Sequence, residues 1–149
     1  MKRNVLTRRR DAAEACRKRF HEKPYQPGVR DCPILAAHAL RQQGVKVPYL
    51  KGLRWKSEAE GLRALKALGF ADLLEAMDGL GLPRIAPAMA LIGDVVALPT
   101  SHQLGALGVY MGNGNVLAFT DHSPNAEIIV RPQMLCAWRV IGTPNLGEG

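Results

Sequence analysis

Apolar and polar positions follow two regimes along this chain. Up to about residue 80 the apolar residues recur at helical spacing. From Gly81 onward they come in short runs bounded by Gly, Pro and Asn. In the first regime Ala12, Ala13, Cys16 and Phe20 fall at i, i+1, i+4 and i+8, one stripe of a helix that ends near His21. Asn4 or Thr7 is its candidate cap, and residues 1–8 read as a flexible arm. Pro24, Pro27 and Gly28 then break the chain. A second helix opens at Asp31, whose carboxylate can accept from a free first-turn N–H, with Pro33 in the first turn. Ile34, Leu35, Ala37, His38 and Leu40 give it a buried face, and Gly44 marks its end. Ser57 and Glu60 fit a capping box for a helix over Ser57–Leu68, closed by Gly69. A shorter helix follows at about Ala71–Met77, before Gly79.

The second regime predicts strands. Gly93-Asp94 opens one that runs to Leu98, and Leu104–Met111 is the next. Gly112-Asn113-Gly114-Asn115 is a hairpin signal, because Asn-Gly supplies the two positive φ values of a type I′ turn. Asn115–Thr120 pairs back, and Ile128–Arg131 and Ala137–Ile141 supply two more short strands. Helices first and strands second is an α+β order.

Composition adds a size and a charge asymmetry. The 149 residues, 47% of them hydrophobic, suffice for one domain with a real core. No apolar run has the length of a membrane span, and the basic start is followed by no apolar segment that would make a secretory signal. Cys16, Cys32 and Cys136 are scattered and odd in number, which is not a disulfide framework. No Cys-x-x-Cys pair offers a zinc site, and no cofactor is expected. Residues 1–30 carry ten Lys and Arg against three acids, a surplus equal to the net +7 of the whole chain. Residues 31–149 are neutral. The expected division is therefore a basic arm and helix over 1–23, a domain over 24–141, and a loose tail over 142–149. Arg8, Arg9, Arg10, Arg17, Lys18 and Arg19 are the candidate partner-binding residues of that arm. Nucleic acid is not the expected partner, since the arm has no aromatic residue except Phe20 and the domain is neutral.

Cys32 is the candidate nucleophile. A thiol in the first turn of a helix feels the positive end of the helix dipole, which lowers its pKa. The ordinary reading of a lone cysteine is a small buried hydrophobe, and a nucleophile needs a base from elsewhere in the fold. Cys16 and Cys136 read as structural.

The order Asp31-Cys32 on a helix, Gly93-Asp94-Val95-Val96 on a strand, and Gly108-Val109-Tyr110-Met111-Gly112-Asn113-Gly114 on a hairpin resembles the NlpC/P60 superfamily. These are papain-like cysteine peptidases and amidases of bacteria and phages that cut cell-wall peptides. The small members encoded among phage tail genes are the most similar, and they too end in an Ala-Trp-Arg-Val strand, here Ala137–Val140. The likeness spans about residues 20–141. It implies a papain-like fold, with N-terminal helices on a small antiparallel sheet of about five strands. It places Ala106 where the family has its catalytic histidine and Ala118 where it has the third, polar member. Neither alanine can move a proton, a contribution of about 10²–10⁴-fold. His102, four residues early, and His122, preceded by Asp121, are the candidates for a relocated base. The ordinary reading of each is a solvated or core histidine.

Three functions follow. The first is a structural tail-tip component of a virion, made in the bacterial host cytoplasm, which docks on neighbouring tail proteins through the basic arm. The second is a peptidase or amidase that attacks cell-wall peptide with Cys32. The third is an anionic-surface or nucleic-acid binder. The two alanines favour the first.

Overall fold

The computed structural model describes residues 4–50 and 52–141; the expected tail at 142–149 lies outside them. Four helices come first: α1 Val5–Phe20, α2 Cys32–Gln42, α3 Glu58–Ala67 and α4 Leu73–Asp78. Six strands follow: β1 Arg84–Ile85, β2 Val95–Leu98, β3 Ala106–Gly112, β4 Asn115–Ala118, β5 Glu127–Ile129 and β6 Cys136–Trp138. They form one antiparallel sheet in the order β1-β6-β2-β3-β4-β5. The architecture is α+β.

The helix signals are local, and they act as local chemistry requires. Asn4 caps α1 by accepting from Thr7 N at 2.8 Å. Asp31 caps α2 by accepting from Ile34 N at 3.1 Å. Past α2, Val45 N donates to Leu40 O and Gly44 N to Arg41 O, the paired bonds that close a helix through a glycine. Ser57 Oγ accepts from Glu60 N at 3.1 Å, while Glu60 returns to Lys56 N rather than to Ser57 N. In the hairpin, Asn113 and Gly114 take φ of 55° and 84°, as a type I′ turn demands.

Alternation along the strands sorts the core into two faces. Val95, Ala97, Leu107 and Trp138 pack with Leu40, Leu65, Leu73 and Met77, while Val109 and Leu117 pack with Cys16, Phe20, Leu35 and Ala39. Val96, Leu98, Val116, Ala118 and Ala137 form a separate cluster, with Ala106 and Tyr110 against it. Gly108 lies where β3 and β4 approach too closely for a side chain. A Cβ there would stand 2.5 Å from Val116 Cγ1 and 2.8 Å from Leu117 O.

One expectation is corrected. The sheet has six strands, not about five: Arg84 and Ile85 pair with Trp138 and Ala137 at an edge, where flanking prolines hide so short a strand from the sequence pattern. Within the expected basic arm and helix over 1–23, the described residues form α1, which packs against elements of the expected domain at 24–141. Helix α1 begins at Val5 and buries Ala12, Ala13, Cys16 and Phe20 against the rest of the core. The segment after it is tied down as well, by Glu22 N to Ala126 O, Ala126 N to Lys23 O and Tyr25 N to Pro124 O.

The basic residues of α1 divide accordingly. Arg9 is buried, with Nη1 on Asp94 Oδ1 at 2.8 Å and on Ile92 O at 3.1 Å, and Nη2 on Val140 O. It is a core residue and not a docking one. Arg17 pairs with Glu14, and Arg19 bonds His38 Nδ1 at 3.0 Å while its guanidinium lies over the Phe20 ring. Arg10 and Lys18 are exposed and Arg8 partly so. Among the described residues no helix is long and apolar enough to cross a membrane.

Candidate functional site

Cys32 opens α2, and the preceding loop holds it there. Asp31 is buried and accepts three bonds: Ile34 N at 3.1 Å, Gly28 N at 2.7 Å and the Trp55 indole N–H at 2.7 Å. The cap of the cysteine helix is thereby fixed within its own loop at Gly28 and to the loop that carries Trp55. The thiol is half-buried and packs against both helix-side clusters.

Burial pushes the Cys32 thiol up to about 11. Hydrogen bonding with the backbone at Leu107 pulls the other way, the charges of Asp31 and Glu58 push it further up, and the backbone at Phe119 pulls it down a little. The dipole argument predicts a lowered value. Desolvation and two nearby carboxylates act against the helix end. Cys16, fully enclosed, is driven up to about 12 by the same desolvation, and Cys136 is also raised.

Cys32 lines a pocket of about 560 Å³ that also takes in His102, Asp121, His122, Glu58 and Tyr25. The sequence candidates therefore meet at one place. Their pairing differs from the Asp121-His122 step considered above. Asp121 binds His102 instead: His102 Nε2 donates to Oδ1 and Oδ2 of Asp121, both at 2.9 Å. The other ring nitrogen, Nδ1, faces Glu58 Oε2 at 3.2 Å. Glu58 Oε1 in turn accepts from the Tyr25 hydroxyl at 3.4 Å. His122 is exposed in the loop after β4, where its backbone N–H bonds Thr120 Oγ1.

The hydrogen bond to Asp121, then the charges of Glu58 and Asp121, hold the His102 imidazole above its ordinary range. A ring with a carboxylate at each nitrogen is best satisfied as imidazolium, with both N–H groups donating. In that form it has no lone pair with which to take a proton from a thiol.

Ala106 lines the same pocket at the start of β3. Ala118 is fully buried at the end of β4, in the cluster with Val96, Leu98, Val116 and Ala137. Glu58 and Tyr25 are site residues that no sequence signal marks. Glu58 reads only as the first residue after a capping serine, and Tyr25 as a loop aromatic between two prolines.

Asp94 of the Gly-Asp strand lies outside this pocket. It is wholly buried and accepts from Arg9 Nη1, Arg139 Nε, Leu91 N and Val140 N. The motif is a structural knot that ties α1 to β2 and to the end of β6.

Fold and site together define an α+β domain with a cysteine-headed helix beside an antiparallel sheet, and a pocket at that helix mouth holding a histidine between two carboxylates. A family model described as a domain of unknown function, DUF6950, matches residues 5–140, and the chain belongs to that family. No curated protein and no solved structure matches it.

Proposed function

We propose that this chain is a structural tail-tip component of a phage or prophage, built on an NlpC/P60-like, papain-like domain whose pocket does not hydrolyse. The family part of the reading rests on the motif order Asp31-Cys32, Gly93-Asp94 and Gly108–Gly114. The observation that carries the loss of hydrolysis is His102, with both ring nitrogens on carboxylates. Ala106 offers no proton acceptor beside it. A thiol near 11 leaves about one molecule in ten thousand as thiolate at pH 7, against roughly 3% for an ordinary cysteine. The exposed Arg10 and Lys18 on α1, with Arg8, give a basic face for an acidic neighbour in the tail.

Two measurements test this. Purified chain incubated with peptidoglycan should release no peptide in a Cys32-dependent manner. Particles induced from a strain that encodes the chain should carry it in their tail fraction. Its presence only in the particle-free lysate would end the virion reading, whatever the hydrolysis result.

One observation favours a second reading, an active cysteine peptidase or amidase: Cys32, His102 and Asp121 share one pocket. In that reading Cys32 attacks the amide carbonyl and His102 passes the thiol proton to the leaving amine. Cys32→Ser would then abolish lysis zones on cell-wall substrate.

A further inference from the structure

His102 joins segments that are far apart in the chain. It stands in the loop between β2 and β3, and its partners are Glu58 at the first turn of α3 and Asp121 in the loop after β4. Glu58 extends the connection to Tyr25, in the loop before α2. All four line the pocket that Cys32 lines. The bridge thus stands in the lining of the same pocket that Cys32 lines.

We propose that His102 is a proton-operated latch on this pocket: as imidazolium it ties Glu58 to Asp121 and restricts access to Cys32, and on losing a proton it releases Glu58 and opens the pocket. Imidazolium has two N–H groups and meets two carboxylates. Neutral imidazole has one N–H, so one nitrogen must turn a lone pair toward a carboxylate. The Asp121 contact is bidentate at 2.9 Å, and the Glu58 contact is single at 3.2 Å. The proton stays on Nε2, and Nδ1 lets Glu58 go.

The titratable groups that line the pocket with His102 set where this happens. They are Glu58 on α3, Asp121 and His122 in the loop after β4, Tyr25 by way of Glu58, and the Cys32 thiol on α2. Among the described residues no lysine or arginine lines the pocket to compete for the two carboxylates. The opening therefore falls above the ordinary histidine value near 6.5. The latch goes beyond the proposed function, since it governs entry whether or not anything is hydrolysed.

The test compares two alkylating reagents at Cys32, iodoacetamide and a bulky maleimide, with the modified peptide quantified by mass spectrometry across pH. Both react with the thiolate, so its ionisation cancels in the ratio of the bulky to the small reagent, and the ratio reads access. In the wild-type chain the ratio should rise several-fold with pH, with a midpoint above 6.5. In His102→Gln and in Glu58→Gln it should be high and flat. A flat ratio in the wild type, or a pH rise that persists in His102→Gln, would overturn the latch. The His102 ring resonance, followed by NMR, should titrate above 6.5 in the wild type and lower in Glu58→Gln. The same titration in both chains would overturn it too. None of these readouts depends on hydrolysis, so failure of the latch and failure of the idle-pocket reading are separate results.

Discussion

Arg9 donates to Asp94 from the first helix to the head of the second strand, a 2.8 Å contact between two buried side chains 85 residues apart. Asp94 keeps Arg139 at 3.1 Å and two backbone N–H groups when Arg9 is removed, so its carboxylate is not left bare. It still loses its most buried cation. Removing one partner of a buried pair costs about 3–5 kcal/mol, and the remaining bonds put Arg9→Ala near 3. Its exposed neighbour gives the contrast: Arg10→Ala should stay within about 0.5 kcal/mol of wild type. Urea unfolding of the two variants checks this, and equal midpoints would mean that Arg9 is not the tie between α1 and the sheet.

Gly108 allows β3 and β4 to close on each other. An added methyl would meet Val116 Cγ1 and Leu117 O well inside contact distance, and one of those is backbone that cannot rotate away. Gly108→Ala should destabilise by about 1–3 kcal/mol through overpacking. The measurement is the unfolding midpoint in denaturant, with the slope unchanged.

His102 links folding to pH. Its folded-state pKa is raised by Asp121 and Glu58, so the folded protein binds the proton more tightly than the unfolded chain. The stabilisation it supplies is fully present below the unfolded value near 6.5 and is lost as pH rises through the folded value. The difference in thermal midpoint between wild type and His102→Gln should be largest below about pH 6 and vanish at alkaline pH. A gap that grew as pH rose would contradict the pairing.

The caps at Asp31 and Ser57 and the turn at Asn113-Gly114 were legible because each is settled within four residues. The face of α2 was legible because its period is helical. Arg9 was not: as a sequence residue it belongs with Arg8 and Arg10, and only the arrival of Asp94, Ile92 and Val140 turns it inward. The burial of the Cys32 thiol was not legible for a related reason. A helix end is visible in sequence, whereas the burial that raises the thiol's pKa comes from packing between distant segments. Of the site, Cys32, His102, His122 and Asp121 could be named but not paired, since the His102–Asp121 contact joins two different loops and Glu58 arrives from a third element.

The central claim is that the pocket holds an unactivated thiol. The most direct measurement is thiolate absorbance against pH, taken as the difference between wild type and Cys32→Ser so that Cys16 and Cys136 cancel. An unactivated Cys32 gives no thiolate below about pH 9 and a titration near 11, the same in His102→Ala. Ionisation well below the free-cysteine value of about 8.5, restored to normal by His102→Ala, would show an imidazole activating the thiol and contradict the claim.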